Sequence, residues 1–338
     1  MVNRTRENII RKRKIRRRRR RLAVFRLVFL LVVFGLLASA VLFIGYALFN
    51  WASHIYYEYH AMYQDYSQRQ ELKRGVVDPK FDGYTNVLIL GLDEGAAEDG
   101  PGGLHADTIM LMSMVNESGR VRFIVIPPDT LVSLPDAGEQ MRISTLYQVG
   151  GPPLMVRAVS SLLGISVHQY IAIDMKAFTD LIDTLGGIDA YVEADMDYDD
   201  PEAGLSIHLR KGYQHMDGET AQKYLRYRGT ELGDVGRVQR QQKFIRALYQ
   251  KALQLDTVPK LPEIADIFQH RMLTSAEIFD SAHLANVLRR MSSDAPVTLM
   301  LPGESAEGMR LWIPDRNGID LRMRELFPIY EINQNEGE

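Results

Sequence analysis

The chain has 338 residues, of which 46% are hydrophobic and 25% charged, with no cysteine and a formal net charge of −3. Without cysteine there is no thiol nucleophile, no structural disulfide and no lipidated-cysteine anchor. The charge is divided along the chain: residues 1–26 hold thirteen of the forty Lys and Arg residues and only one acid, Glu7, so everything after them is net acidic.

Leu27 to Phe49 is a run of 23 residues without a charge. At about 1.5 Å per residue such a helix crosses a hydrocarbon core of about 30 Å. The basic block on its N-terminal side orients it, with residues 1–26 in the cytoplasm and the chain after Trp51 outside. A cleaved signal peptide is the competing reading, because Ala38-Ser39-Ala40 has the form of a cleavage site. Val41 to Phe49 stay apolar beyond it, whereas cleavage normally precedes polar chain, so an uncleaved single-pass anchor is preferred. Trp51, Tyr56, Tyr57 and Tyr59 suit the outer interface. Attraction to anionic inner-leaflet lipid accounts for the basic tail, and no helix-turn-helix pattern accompanies it, so no nucleic-acid partner is expected.

Residues 50–84 read as a juxtamembrane linker, with Tyr56 to Phe81 as a helix or stalk. From Thr85, strand-length apolar runs alternate with helical ones, which predicts an α/β domain over residues 85–330, a central mixed β-sheet flanked by helices, and a tail at 331–338. Strands are expected at Asn86–Leu92 and Ile109–Val115, then, after the turn Asn116–Gly119, at Val121–Ile126 as a hairpin partner. A helix starts at Gly151-Pro152 and stops at Gly164. A strand at Tyr170–Ile173, a helix at Met175–Leu185 closed by Gly186-Gly187, and a strand at Ile188–Val192 follow. Asp195, Asp197, Asp199, Asp200 and Glu202 read as a solvated acidic loop, since their spacing lacks the twelve-residue calcium pattern. Gly236 to Leu255 has helical periodicity, with Val238, Ile245, Leu248 and Leu253 as core contacts. Further helices fit Ile264–Phe268 and Ser275–Met291, with strands at Val297–Leu301 and near Trp312. Met110, Met112 and Met114 alternate as strand residues do, with a place in the core preferred.

The chemistry concentrates between Arg226 and Gln242, RYRGTELGDVGRVQRQQ. Arg226, Arg228, Arg237 and Arg240 stand beside Asp234 and Gln241, and arginine forks that stay charged suit a pyrophosphate. Arg226 and Arg228, two apart, would share one side of an extended segment. Arg237 and Gln241, four apart, would project together near a helix start, where free amides add to the attraction for phosphate. A solvated helix face, with Glu231 and Asp234 pairing the arginines, is the competing reading. Asp93 ends the first expected strand and Asp107 opens the second. Two such carboxylates can share a Mg²⁺, which commonly takes one or two carboxylates together with substrate phosphates; taken singly, each is more often a turn or cap residue. The histidines show no zinc spacing, and no Gly-x-Ser-x-Gly elbow is present.

Taken in order, Asn86–Asp93, Ala106-Asp107-Thr108, Ile126–Thr130, Arg142–Gly151, Leu185–Ile188, Lys211-Gly212, Asp217-Gly218-Glu219, Arg226-Tyr227-Arg228 and Gly233–Gln242 resemble the LytR-CpsA-Psr family of cell-envelope proteins. The resemblance covers Asn86 to about Leu255, and the basic tail and single anchor fit it. It implies a membrane-anchored phosphotransferase that moves a glycopolymer from a polyprenyl-pyrophosphate carrier to a cell-wall hydroxyl with Mg²⁺. Asp93 and Asp107 would hold the metal. Arg226, Arg228, Arg237 and Gln241 would hold the pyrophosphate, with Arg142, where the family usually has Lys, and Arg240 beside them. Asp234 would either orient Arg237 or take the acceptor proton. Two positions depart from the family's pattern: Pro128 and His105 stand where arginines are common. A histidine is near neutral at pH 7, so two charge-assisted phosphate contacts are weakened or lost. That departure motivates an alternative, a polyprenyl-phosphate binder without turnover or a pyrophosphate hydrolase.

Overall fold

The computed structural model describes residues 34, 37, 39–54, 56–57, 78–94, 104–133, 140–200, 205–227, 233–276, 280–306 and 311–328. The chain divides into two units, residues 1–72 and 73–338. In the first, the described residues from Phe34 to Tyr57 are helical, and their apolar side chains face outward, with Leu42 74% and Phe49 72% exposed. Among the described residues no helix is long and apolar enough to cross a membrane. Much of the expected span, 27–33 with 35, 36 and 38, and most of the expected stalk lie outside the described residues.

The second unit runs in chain order through β1 (Tyr84–Glu94), β2 (Leu104–Val115), β3 (Val121–Ile126), β4 (Leu131–Ser133), β5 (Gln140–Arg142), α1 (Leu146–Leu163), β6 (Gln169–Asp174), α2 (Met175–Leu185) and β7 (Ile188–Val192). It continues through β8 (Met196–Asp200), β9 (Leu205–Leu209), β10 (Gly212–Met216), α3 (Gly218–Arg226), α4 (Gly233–Ala252), α5 (Leu261–His270), β11 (Leu273–Thr274), α6 (Ser281–Arg290), β12 (Val297–Met300), β13 (Gly303–Ser305), β14 (Trp312–Pro314) and α7 (Arg316–Leu326).

The central sheet is mixed and six-stranded among the described residues, in the order β11-β6-β1-β2-β3-β12. β1 is parallel to β6 and antiparallel to β2, while β3 is antiparallel to β2 and parallel to β12. The carboxyl ends of β1, β3, β6 and β12 therefore share one edge with the start of β2. The period of two along each strand separates the faces. Leu88, Leu90, Ile109, Leu111, Ile124 and Ile126 pack beneath Met155 and Val159 of α1 and Ile319 and Met323 of α7. Met110, Met112, Met114, Phe123 and Val125 pack beneath Val238, Ile245 and Tyr249 of α4, so the alternating methionines belong to the core. A third cluster joins β7, β8, β9 and β10 to Tyr224 of α3 and Phe244 of α4.

Several elements differ from the sequence reading. Of the acidic segment, Asp197, Asp199 and Asp200 lie in β8, which pairs with β9, with Asp197 opposite His208 and Asp199 opposite Ser206, so cross-strand pairing replaces the expected loop there; Glu202 lies outside the described residues. Arg226 lies in the last turn of α3 rather than on an extended segment. α4 begins at Gly233 and ends at Ala252, three residues earlier at each end than the periodicity placed it. Residues 273–274 form a strand, and the helix expected from Ser275 starts at Ser281, where Asp280 caps it through the His283 N–H. α1 already begins at Leu146 but breaks at Gly150-Gly151, the latter at φ 60°, a left-handed conformation that favours glycine, so the regular helix restarts at Pro152 as expected.

Candidate pyrophosphate site at the sheet edge

The site is built first from a register change. Gly91 pairs with Thr108 but Leu92 pairs with Ala106, which leaves Asp107 as the extra residue of a β-bulge inside β2. Bulges re-aim side chains and recur beside active sites. Asp93 lies one residue short of the end of β1, opposite His105. Both expected metal ligands thus stand within adjacent strands at the carboxyl edge, the side of an open α/β sheet on which ligands bind. A Cβ on Gly91 would sit 2.9 Å from the Thr108 Cβ, so glycine lets the bulged strand approach this closely.

α4 crosses the methionine face and brings its polar residues to the same edge. The Gln241 Nε2 donates to Thr108 Oγ1 at 3.3 Å. Arg237, one turn earlier, is 5% exposed, Arg240 3% and Gln241 8%. Such burial rules out a solvated helix face, because water does not screen or satisfy these charges. α3 delivers Arg226, whose Nη2 lies 3.2 Å from Asp93 Oδ2. This helix is fixed at its start by Asp217, whose carboxylate accepts the Thr220 N–H at 2.8 Å. It is fixed at its end by Tyr227, which turns to φ −57° and ψ 127°. Arg240 donates to the Tyr227 carbonyl, and its guanidinium carbon stands 5.4 Å from the centre of the Tyr227 ring.

The segment after β3 supplies the other side. Pro128 is the second residue of a turn closed by the Thr130 N–H on the Pro127 carbonyl at 3.0 Å. Asp129 follows it and lies 3.9 Å from Nη1 of Arg142, which stands opposite Leu131 in the β4–β5 hairpin. His105 is 5% exposed, and its Nε2 lies 2.8 Å from the Gln148 Nε2 just before the break in α1. His105 is thus bonded inward to Gln148.

Arg228 lies outside the described residues, as does the side chain of Asp234 in the first turn of α4. Among the described residues no group of three or more His, Asp and Glu is arranged to hold a metal ion. Asp93 and Asp107 still fit Mg²⁺ chemistry, since that ion commonly takes one or two carboxylates and completes its shell with phosphate and water. Burial pulls the Arg240 guanidinium down from its ordinary range, opposed by Tyr224, Glu193 and Tyr227. The Tyr224 hydroxyl is pushed up to about 12, first by burial and then by the charge of Glu193. Sequence reasoning passed over Gln148 and Tyr227 as site residues. No spacing signal marks the first, and the second is apolar by pattern, flanked by the arginines it separates.

Polyisoprenyl-teichoic acid–peptidoglycan teichoic acid transferase TagV of Bacillus subtilis (strain 168) is 28% identical over 239 residues, which are 70% of this chain and 60% of that protein. Regulatory protein MsrR of Staphylococcus aureus (strain COL) is 30% identical over 192 residues, 56% of each chain. The chain thus spans less than two thirds of the length of these relatives. The crystal structure of B. subtilis TagV superposes with a TM-score of 0.61 at 25% identity, covering 72% of this chain and 97% of that one. TagT bound to LIIa-WTA shares the fold, with a TM-score of 0.60 at 23% identity over 75% and 92% of the two chains. The sequence model of the LytR_cpsA_psr family matches residues 51–326, a span that takes in the bulge, Asp93, Asp107 and the arginines of α3 and α4, and the chain belongs to that family.

Proposed function

We propose that the protein is a membrane-anchored phosphotransferase that moves a glycopolymer from a polyprenyl-pyrophosphate carrier to a hydroxyl of the cell wall. The observation that carries this reading is the convergence of Arg226 on Asp93 and of Gln241 on Thr108, which gathers cationic and polar groups of two helices at one sheet edge beside two carboxylates. The name of TagV, with a polyisoprenyl-linked donor and peptidoglycan as acceptor, supports the same substrate classes.

In the proposed reaction the acceptor hydroxyl forms a new P–O bond to the phosphorus that carries the glycan. The P–O–P bond to the carrier breaks, and the lipid leaves as its monophosphate. The transition state is loose, so the protein's part is to position the groups and neutralise charge. Arg226 exchanges the Asp93 carboxylate for phosphate oxygens, while Arg237, Arg228 and Gln241 hold the remaining oxygens, with Arg142 beside them. Asp93 and Asp107 would hold Mg²⁺, which supplies further neutralisation when bound. Asp234 either orients Arg237 or receives the hydroxyl proton.

We place residues 27–49 across the membrane with the domain outside, a reading supported by the outward-facing apolar side chains of the described helix and by the basic block before it. The chain lacks cysteine, so an introduced one reads topology directly. In intact cells Asn335→Cys should react with an impermeant maleimide and Asn3→Cys should not; the reverse pattern overturns the placement.

The inward bond of His105 and the turn at Pro128 favour a second reading, carrier binding without turnover. Mass spectrometry of lipid retained by the gently purified full chain tests what both readings share. Polyprenyl phosphate or pyrophosphate should be retained, and less of it by Arg237→Ala. Equal retention by the two proteins would overturn the site.

A further inference from the structure

Arg240 has the chemistry of a phosphate ligand but the contacts of a clamp. Its side chain is 3% exposed, and both its hydrogen bond to a carbonyl and its ring contact fall on one residue, Tyr227. Tyr227 is itself 6% exposed, and its ring meets that of Tyr198 on β8 edge to face at 6.4 Å. It separates Arg226, which reaches Asp93, from Arg228. A guanidinium can donate from its edge while its face lies on a ring, whereas an ammonium offers one point of charge. Along α4, Gln241 reaches β2 while Arg240 reaches the end of α3, so neighbouring residues of one helix serve two walls of the site.

We propose that Arg240 is a positioning residue, which fixes Tyr227 by its carbonyl and ring and thereby sets where Arg226, the residue before it, presents its guanidinium to the pyrophosphate. This rests on the cradle reading above and removes Arg240 from the substrate ligands.

A double-mutant cycle on the full chain in detergent, with a polyprenyl pyrophosphate as probe, tests it. Arg226→Ala should weaken binding by about tenfold or more, as loss of a charge-assisted contact does. Arg240→Lys keeps the charge and should weaken binding comparably, but its effect should shrink at least about threefold in the Arg226→Ala background. Equal effects in both backgrounds, or wild-type binding by Arg240→Lys, overturn the proposal. Amide exchange reads the clamp without ligand. The Tyr227 N–H, bonded to the Lys223 carbonyl at 3.1 Å, should exchange about tenfold faster in Arg240→Lys at an unchanged melting temperature. Unchanged exchange overturns the clamp whatever the binding result. Wild-type binding by Arg226→Ala would instead overturn the cradle, with exchange still deciding the clamp.

Discussion

At the sheet edge Arg237, Arg240 and Gln241 are at most 8% exposed, whereas on the β8–β9 hairpin the side chains of Asp197, Asp199 and His208 are at least 58% exposed. Both places bring opposite or polar charges together, and sequence alone marks both as charge clusters. On the hairpin His208 lies between Asp197 and Asp199, and Arg210 pairs with Asp195 at 3.0 Å, all in water that screens them. At the edge Arg240 is held by Tyr227 and Gln241 by Thr108, and Arg237 is buried on the same helix, in surroundings where electrostatic forces act at greater strength. Burial, more than residue type, separates a site that can do chemistry from a solvated face.

Variants sharpen that difference, and the largest effects belong at the edge. Arg237→Ala should lower transfer by about ten- to a hundredfold, the equivalent of a charge-assisted contact of about 1.5 to 3 kcal/mol, in initial-rate measurements with thermal unfolding as the control for folding. A rate within about twofold of wild type would place Arg237 with the solvated charges. Pro128→Arg should raise turnover by up to about tenfold, because the second position of such a turn accepts most residues and the new side chain restores a cation after β3. No gain would mean that the missing arginine does not limit the reaction.

Smaller effects belong to stability. Asp217→Ala should cost about 1 kcal/mol in chemical denaturation, since it removes the cap that fixes the start of α3. Hydrogen bonding to Thr220 holds the Asp217 carboxyl below its ordinary range. Its folded pKa is therefore the lower one. The stabilisation is fully present above the unfolded value and is lost as pH falls through the folded value, so the difference between wild type and variant should shrink only in acid. His208→Ala, the smallest change, should alter stability by less than about 1 kcal/mol and less still in high salt. A larger loss would show that the hairpin pair is not solvated in the way its exposure indicates.

Much of this architecture was legible in the sequence where local chemistry decides it. Val121–Ile126, Met175–Leu185 and Ile188–Val192 fall where turns, glycines and apolar runs placed them. The β8–β9 hairpin was not legible, because its acidic strand β8 owes its pairing to residues about ten positions away. The site followed the same division. Arg237 and Gln241 came from helical spacing, and Asp93 with Asp107 from their strand ends. The bulge at Asp107, the inward bond of His105 and the hold of Arg240 on Tyr227 depend on register and tertiary contact, which no short motif encodes.

The most direct test supplies the full chain with a polyprenyl-pyrophosphate-linked glycan and a cell-wall acceptor, and counts both products. Polyprenyl monophosphate and glycan–phosphate–acceptor should appear in equal amounts from the wild type, with both falling at least about tenfold in Arg237→Ala. Retained donor without either product, or equal yields from the two proteins, would contradict it.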